Sequence, residues 1–372
     1  MLTHVLRQIL LAAALFASGA GAAPVPATGN SSPPLNWRFA PGQSFNGVAG
    51  ALDGVARLSF SNLGGNFACS GSLLAGGAYV LTAGHCADNF TSMTVEFGWF
   101  DGLAQLTRTV APGTAVLHPE WRGFQVSSDS GADLALLRLN APVTSIAGYR
   151  LSSTLDIGKT FLIAGYGTTA DGAGGDPPNW NDAAYGHFAY NTFDVTSADF
   201  NRVAAQTRPD WPYEPGHYAP GVTYMSDFDH PDGAAANNTL GRIAAQTGNQ
   251  WSSGNGLGLD EGMIASGDSG GGDFVWNGAE WLLSAVHSWV WPGGGADLCR
   301  SFGLGDCDIS SGNNASYGDL SGSTAMFSHA GWVETMTAVP EPLSYAMMLA
   351  GLCVVAARAR RLQRAQAEQA CA

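Results

Sequence analysis

From Val55 onward the chain runs in short apolar stretches separated by glycine and asparagine. "VARLSFS" and "MTVEFGWF" alternate apolar and polar positions, while "AYVLTA", "ADLALLRL" and "FLIAGYG" are apolar runs of strand length. Strands this short, at this spacing, predict an all-β sandwich or barrel. Residues 170–260 are looser, yet eleven aromatics lie between Trp180 and Phe228. That density predicts a folded insertion packed on the body and not a free linker. The strand pattern returns at "EGMIASGDSGGG" and "EWLLSAVHSWVW", and a short helix over about 328–336 closes it. No internal repeat is evident.

Composition narrows the class. Only 12% of the 372 residues are charged, 45% are hydrophobic and 50 are glycine, a turn-rich globular profile. Lys159 is the one lysine and the net charge is −14. This argues against a nucleic-acid partner.

The chain ends read separately. "MLTHVLRQILLAAALFASGAGAAP" has Arg7 before an apolar run and then Ala20-Gly21-Ala22, the order of a secretory signal over residues 1–22. Residues 23–47 are Pro-, Ser- and Asn-rich toward their start and read as an extended leader or propeptide. At the other end, 343–357 is uncharged and is followed by Arg358, Arg360, Arg361 and Arg364, the look of a cytoplasmic stop and of a transmembrane helix, although short for a full span. With Pro340-Glu341-Pro342 in front, residues 339–372 resemble the PEP-CTERM sorting signal of Gram-negative bacteria. The resemblance implies an exosortase-type processing partner and export through the inner membrane to the cell surface or extracellular matrix. A permanent anchor through 343–357 is the alternative. Between the ends, residues 23–340 hold 11 Lys plus Arg and 28 Asp plus Glu, an anionic surface. Four cysteines remain there. An even set in an exported chain, taken in sequence order, predicts the pairs Cys69–Cys86 and Cys299–Cys307.

Ser269 sits in "SGDSGGG", which is either one more glycine turn or a nucleophile loop. Serine needs a base and an orienting carboxylate to act as a nucleophile. His85, in "VLTAGHCADN", follows an apolar strand and stands beside Cys86. Asp133, in "SGADLALLRL", precedes a buried-looking strand, where a carboxylate needs hydrogen-bond donors. Alone, each is commonplace. In the order His85, Asp133, Ser269 they resemble the trypsin/chymotrypsin family, with "LTAGHC", "DLALLRL" and "GDSGG" as its three motifs. "VLHPEW", "FLIAGYG", "SWVW" and "FSHAGWVETM" resemble its intervening and closing segments.

The resemblance covers about 48–338 and implies two antiparallel β-barrels with a short C-terminal helix. It further implies a serine endopeptidase acting through a covalent acyl-enzyme on protein or peptide substrates. By resemblance, Gly267 and Ser269 form the oxyanion hole, Ser288 orients Asp133, and Met263, Ser288, Trp289 and Val290 line the substrate pocket. A monomer without cofactor or metal is expected. A catalytically silent surface or matrix binding module, and an esterase, remain as other readings.

Three departures limit the likeness. Met263 stands where an acid would select Arg or Lys, Val290 narrows the pocket, and Ala265 replaces a bracing cysteine. Small to medium apolar selectivity follows. No Arg or Lys precedes Gly47 or Val48, the nearest candidates for a new amino terminus, so Asp268 is left needing an internal partner. "DFDHPDG" at 227–233 resembles a calcium loop only loosely, because the bidentate glutamate is missing. His187, His217 and His230 match no metal-ligand spacing.

Overall fold

The computed structural model describes residues 24–25, 34–169, 172, 182–291, 294–304, 315–338 and 349–360. The chain divides into two units, Met1–Ala330 and Gly331–Ala372.

The larger unit is built on two antiparallel sheets that curl into barrels. Among the described residues, the first has seven strands: β1 (Val55–Asn62), β2 (Gly65–Leu73), β3 (Tyr79–Thr82), β4 (Ser92–Phe97), β5 (Leu106–Val110), β6 (Val116–Leu117) and β7 (Ala135–Arg138). Their order is β6-β7-β3-β2-β1-β4-β5. Alternation in the sequence becomes sidedness here: Leu58 and Phe60 of β1 are buried, while Arg57, Ser59 and Ser61 are half-buried. The apolar run of β7 buries Ala135, Leu136 and Leu137 together.

The second sheet holds β8 (Thr160–Gly165), β9 (Gly186–Thr192), β10 (Val195–Thr196), β11 (Thr223–Asp227), β12 (Gly272–Trp276), β13 (Trp281–Trp291) and β14 (Leu320–Ala325). The order is β10-β11-β14-β13-β12-β8-β9, with Arg38–Phe39 added at the β9 edge. The predicted double barrel is therefore the observed fold.

The described part of the insertion folds as part of the second barrel. It supplies β9, β10 and β11 and two helices, α2 (Ser197–Thr207) and α3 (Thr239–Gln246), after the short α1 (Gly84–Ala87) of the first barrel. Thr196 and Asn238 cap α2 and α3 by accepting from the N–H groups of Asp199 and Gly241. Phe200, Ala204, Leu240 and Ile243 pack with Met225, Leu320 and with Leu298 and Phe302 of α4 (Gly294–Phe302). Trp211 and Trp251 close that cluster at its edge.

The described part of the leader is built into the fold. Arg38 pairs with Asp182, and Phe45 is buried edge-on against Phe188. Ser44–Phe45 and Val48–Ala49 form a hairpin over Asn46 and Gly47, whose φ angles of 49° and 80° suit its tight turn.

The closing helix spans Ala330–Thr337, close to the expected 328–336, and all of it but Ala330 belongs to the smaller unit. A second helical stretch covers 349–360. No helix among the described residues is long and apolar enough to cross a membrane, and of the transmembrane helix expected over 343–357, residues 343–348 lie outside the described residues. The signal segment 1–22 and the Pro340-Glu341-Pro342 tripeptide lie outside the described residues.

Candidate active site

His85 lies on α1, which follows β3. Cys86 beside it is disulfide-bonded to Cys69 of β2, fixing the helix to the sheet. Asp133 immediately precedes β7 and its side chain is fully buried. The two meet twice: the His85 backbone N–H donates to Asp133 Oδ1 at 2.9 Å, and Nδ1 lies 2.8 Å from Oδ2. A carboxylate partner makes Nδ1 the protonated nitrogen and leaves Nε2 as the acceptor. The imidazole keeps 22% of its surface exposed, with Phe124 edge-on to it at 4.9 Å.

Ser288 is the third partner of Asp133, donating its hydroxyl to Oδ2 at 2.6 Å. It reaches there because β13 bulges. His287 pairs with Ser323 and Trp289 with Gly322, so Ser288 is the extra residue, turned out of the ladder toward the first barrel. Three donors thus satisfy a carboxylate that would be costly to bury alone.

Ser269 sits on the loop entering β12. Its carbonyl accepts the Ser70 N–H at 2.8 Å, and Ser70 neighbours the disulfide that holds His85. Gly270 approaches the first barrel so closely that a Cβ there would lie 2.0 Å from Thr82 Oγ1. Gly267 adopts φ +92°, a region that favours glycine. Among the described residues the N–H groups of Gly267 and Ser269 have no intramolecular acceptor, and no hydrogen bond joins Ser269 Oγ to His85.

Asp268, beside the nucleophile candidate, is buried. Its oxygens accept from Gly167 N at 3.0 Å and Ala265 N at 3.1 Å. Burial lifts its carboxyl to about 7, against the pull of His287 and the two amides. His287 had escaped notice in the sequence: it is fully buried on β13, with Nε2 2.8 Å from Asp273 Oδ1 and Nδ1 3.0 Å from the Asp268 carbonyl. Its one signal was an acid and a histidine, Asp273 and His287, within two strands rich in apolar residues.

Of the residues expected to line a substrate pocket, Met263 and Val290 meet in an apolar cluster. Met263 is buried in a cluster with Phe228, Ala265, Ala315 and Tyr317, against which Val290 packs. Trp289 lies over Gly322, where a Cβ would collide with its ring. Cys299 is disulfide-bonded, and its expected partner Cys307 lies outside the described residues.

The remaining candidates disperse. His187, His217 and His230 each pair with a separate acid, Asp182, Asp129 and Asp232. Cys69, His85 and Cys86 bring ligand atoms within 4.8 Å of one another, but both sulfurs are spent in the disulfide. Of the calcium-like stretch, Asp227 and Asp229 are buried together with Asp194 and Glu261. Burial raises all four carboxyls above their ordinary range, Asp227 to about 6, Glu261 to about 8 and Asp229 to about 10.

This is a chymotrypsin-type double barrel with a Ser/His/Asp set divided between its halves. The family model described as Trypsin matches residues 47–190, a region that contains His85 and Asp133 and stops before Ser269. Among solved structures, the chain is similar to HL collagenase at 18% identity over 82% of this chain and 97% of that one, with a TM-score of 0.49. It is similar to the protease Anisep from Arthrobacter nicotinovorans at 14% over 73% and 90%, TM-score 0.41. Neuropsin, a serine protease expressed in the limbic system of mouse brain, aligns at 16% over 81% and 98%, TM-score 0.48. No curated protein matches the sequence.

Proposed function

We propose that the chain is an exported serine endopeptidase with His85, Asp133 and Ser269 as its catalytic residues. The observation that carries this reading is the position of Asp133, which bonds His85 Nδ1 and Ser288 at once while Ser269 is hung from Ser70 beside the same disulfide. His85 Nε2 takes the Ser269 proton as Oγ attacks the scissile carbonyl, then passes it to the leaving amine. Asp133 holds the tautomer and stabilises the imidazolium. The unengaged N–H groups of Gly267 and Ser269 receive the developing oxyanion, a contribution of about 3 kcal/mol per donor. Water then repeats the cycle on the acyl-enzyme.

The chain ends support delivery by a secretory signal and a PEP-CTERM-like tail to the surface or matrix of a Gram-negative bacterium. A disulfide between Cys69 and Cys86 suits that oxidising destination. The apolar base at Met263 favours small to medium apolar side chains.

The test is a fluorophosphonate probe on the purified chain, with the adduct located by mass spectrometry. Labelling at Ser269 that disappears in Ser269→Ala supports the reading, and turnover of peptide over matched ester substrates separates a protease from an esterase. A chain that never labels, whether intact or cut near Gly47, is a silent binding module instead.

A further inference from the structure

We infer that His287, paired with Asp273, is a positioning residue that holds the Ser269 loop in its working shape, so that the uncleaved chain is already competent. The inference rests on the protease reading above and assigns its regulation.

His287 grips the loop at three points. Its carbonyl accepts from Gly270 N at 2.8 Å, its N–H donates to Gly271 O at 3.0 Å, and its ring Nδ1 lies 3.0 Å from the Asp268 carbonyl. These residues flank Ser269 on both sides. The fit leaves no slack, since a Cβ on Gly271 would lie 2.7 Å from Nδ1.

The same contacts set the charge of the ring. A carbonyl only accepts, so Nδ1 carries hydrogen toward Asp268; Nε2 faces a carboxylate, which also only accepts. Both nitrogens are then donors and the ring is an imidazolium. Burial alone would push His287 down, yet Asp273, with Asp268 behind it, carries it above its ordinary value. Asp273 faces it from β12 and Asp268 from the loop, while β14 presents Ser323 and β8 presents Ala164, neither titratable. A buried cation thus sits beside the buried Asp268 without any freed amino terminus.

The candidate new terminus is anchored elsewhere. Val48 pairs with Phe45, whose carbonyl accepts Trp281 Nε1 at 3.2 Å. Trp281 and His287 are six residues apart on β13, about 20 Å along an extended strand. The Val48 hairpin therefore lies at the far end of β13 from Asp268.

The experiment compares fluorophosphonate labelling of Ser269 in the full chain, intact and cut between Gly47 and Val48, with the intact variants His287→Gln and Asp273→Asn. The expected result is labelling of the intact chain at a rate that cutting does not raise. His287→Gln, folded by its melting transition, labels about 100-fold more slowly, the cost of one misplaced oxyanion donor. The alkaline fall in wild-type rate, set by loss of the His287 proton, is absent from that variant; a merely structural role would not move it. Labelling confined to the cut chain overturns this inference alone. Full-rate labelling with an unchanged alkaline limb in a folded His287→Gln overturns it as well. If neither the intact nor the cut wild-type chain labels, the protease reading falls and takes this one with it. Should the variants not fold, the intact-against-cut comparison decides without them.

Discussion

Ser288 donates its hydroxyl to Asp133 Oδ2 at 2.6 Å, and it does so from a bulge in a strand of the opposite barrel. That one bond ties the Asp133 carboxylate of the first barrel to the second. A hydrogen bond to a charged group contributes about 1.5–3 kcal/mol. Ser288→Ala leaves Asp133 with both His85 bonds but frees it to rotate. We expect kcat/KM on a peptide substrate to fall about tenfold. Labelling of Ser269 should survive, because Ser269 and His85 are untouched. Unchanged kcat/KM would mean that the His85 contacts alone fix the carboxylate.

The Cys69–Cys86 bond closes a separation of 17 residues and joins the strand that holds the Ser269 carbonyl to the helix that bears His85. Loop-closure entropy for a link of that size stabilises the fold by about 3 kcal/mol. Replacing both cysteines by serine should lower the melting temperature by several degrees, since about 1 kcal/mol moves a domain of this size by roughly 2–4 °C. It should also slow Ser269 labelling at temperatures where the variant remains folded. Loss of stability with full labelling would show that packing, and not the disulfide, sets the His85 position.

Much of this site was legible in sequence because each element announces itself locally. "VLTAGHC", "ADLALLRL" and "GDSGGG" carry their strand or turn with the functional residue attached, and the disulfide pairs neighbours in order. The helices α2 and α3 were not foreseen. At 11 and 8 residues, their helical periodicity is drowned by turn-forming residues on either side, and their stability comes from packing against Leu298, Phe302 and Leu320 far along the chain. His287 and the burial of the four acids carry no local mark for a related reason. A polar residue in an apolar strand has no sequence mark that says whether its partner is water or, as for His287, an acid fourteen positions away.

Asp194, Asp227, Asp229 and Glu261 set an expected pH dependence. Burial raises each, so the folded chain keeps protons that the unfolded chain releases near pH 4. Stability from these groups is complete below that ordinary carboxylate range. It is lost as pH rises through about 6, the Asp227 value, and about 8, the Glu261 value. The melting temperature should therefore fall steadily between about pH 5 and 9. Asp229 contributes most directly, because its Oδ1 is buried without a hydrogen-bond partner among the described residues. Asp229→Asn should raise the melting temperature at pH 8 by about 2–4 °C for each kcal/mol recovered and flatten the slope. A flat profile in the wild-type chain would show that these carboxyls are not held protonated in the folded state.

Selectivity turns on Val290. Met263 fills the base of the expected pocket from within a buried apolar cluster, and Val290 leans on the same cluster from β13 while remaining half-exposed. A β-branched side chain at that position excludes long or flat substrate groups by volume, and the residue at the expected base is Met263, which has no charge to draw a cation. Val290→Gly removes three carbons from the wall without touching the Asp133 contacts of Ser288. The wild-type chain should favour alanine- or valine-sized residues before the scissile bond over phenylalanine. The variant should reverse that order, gaining about 10-fold or more in kcat/KM for phenylalanine, because one to two methylenes of pocket space are worth about 1–3 kcal/mol of discrimination. Because a catalytic defect scales all substrates alike, the ratio between the two peptides is the quantity to measure. A ratio unmoved by Val290→Gly would place the specificity-determining wall on another element.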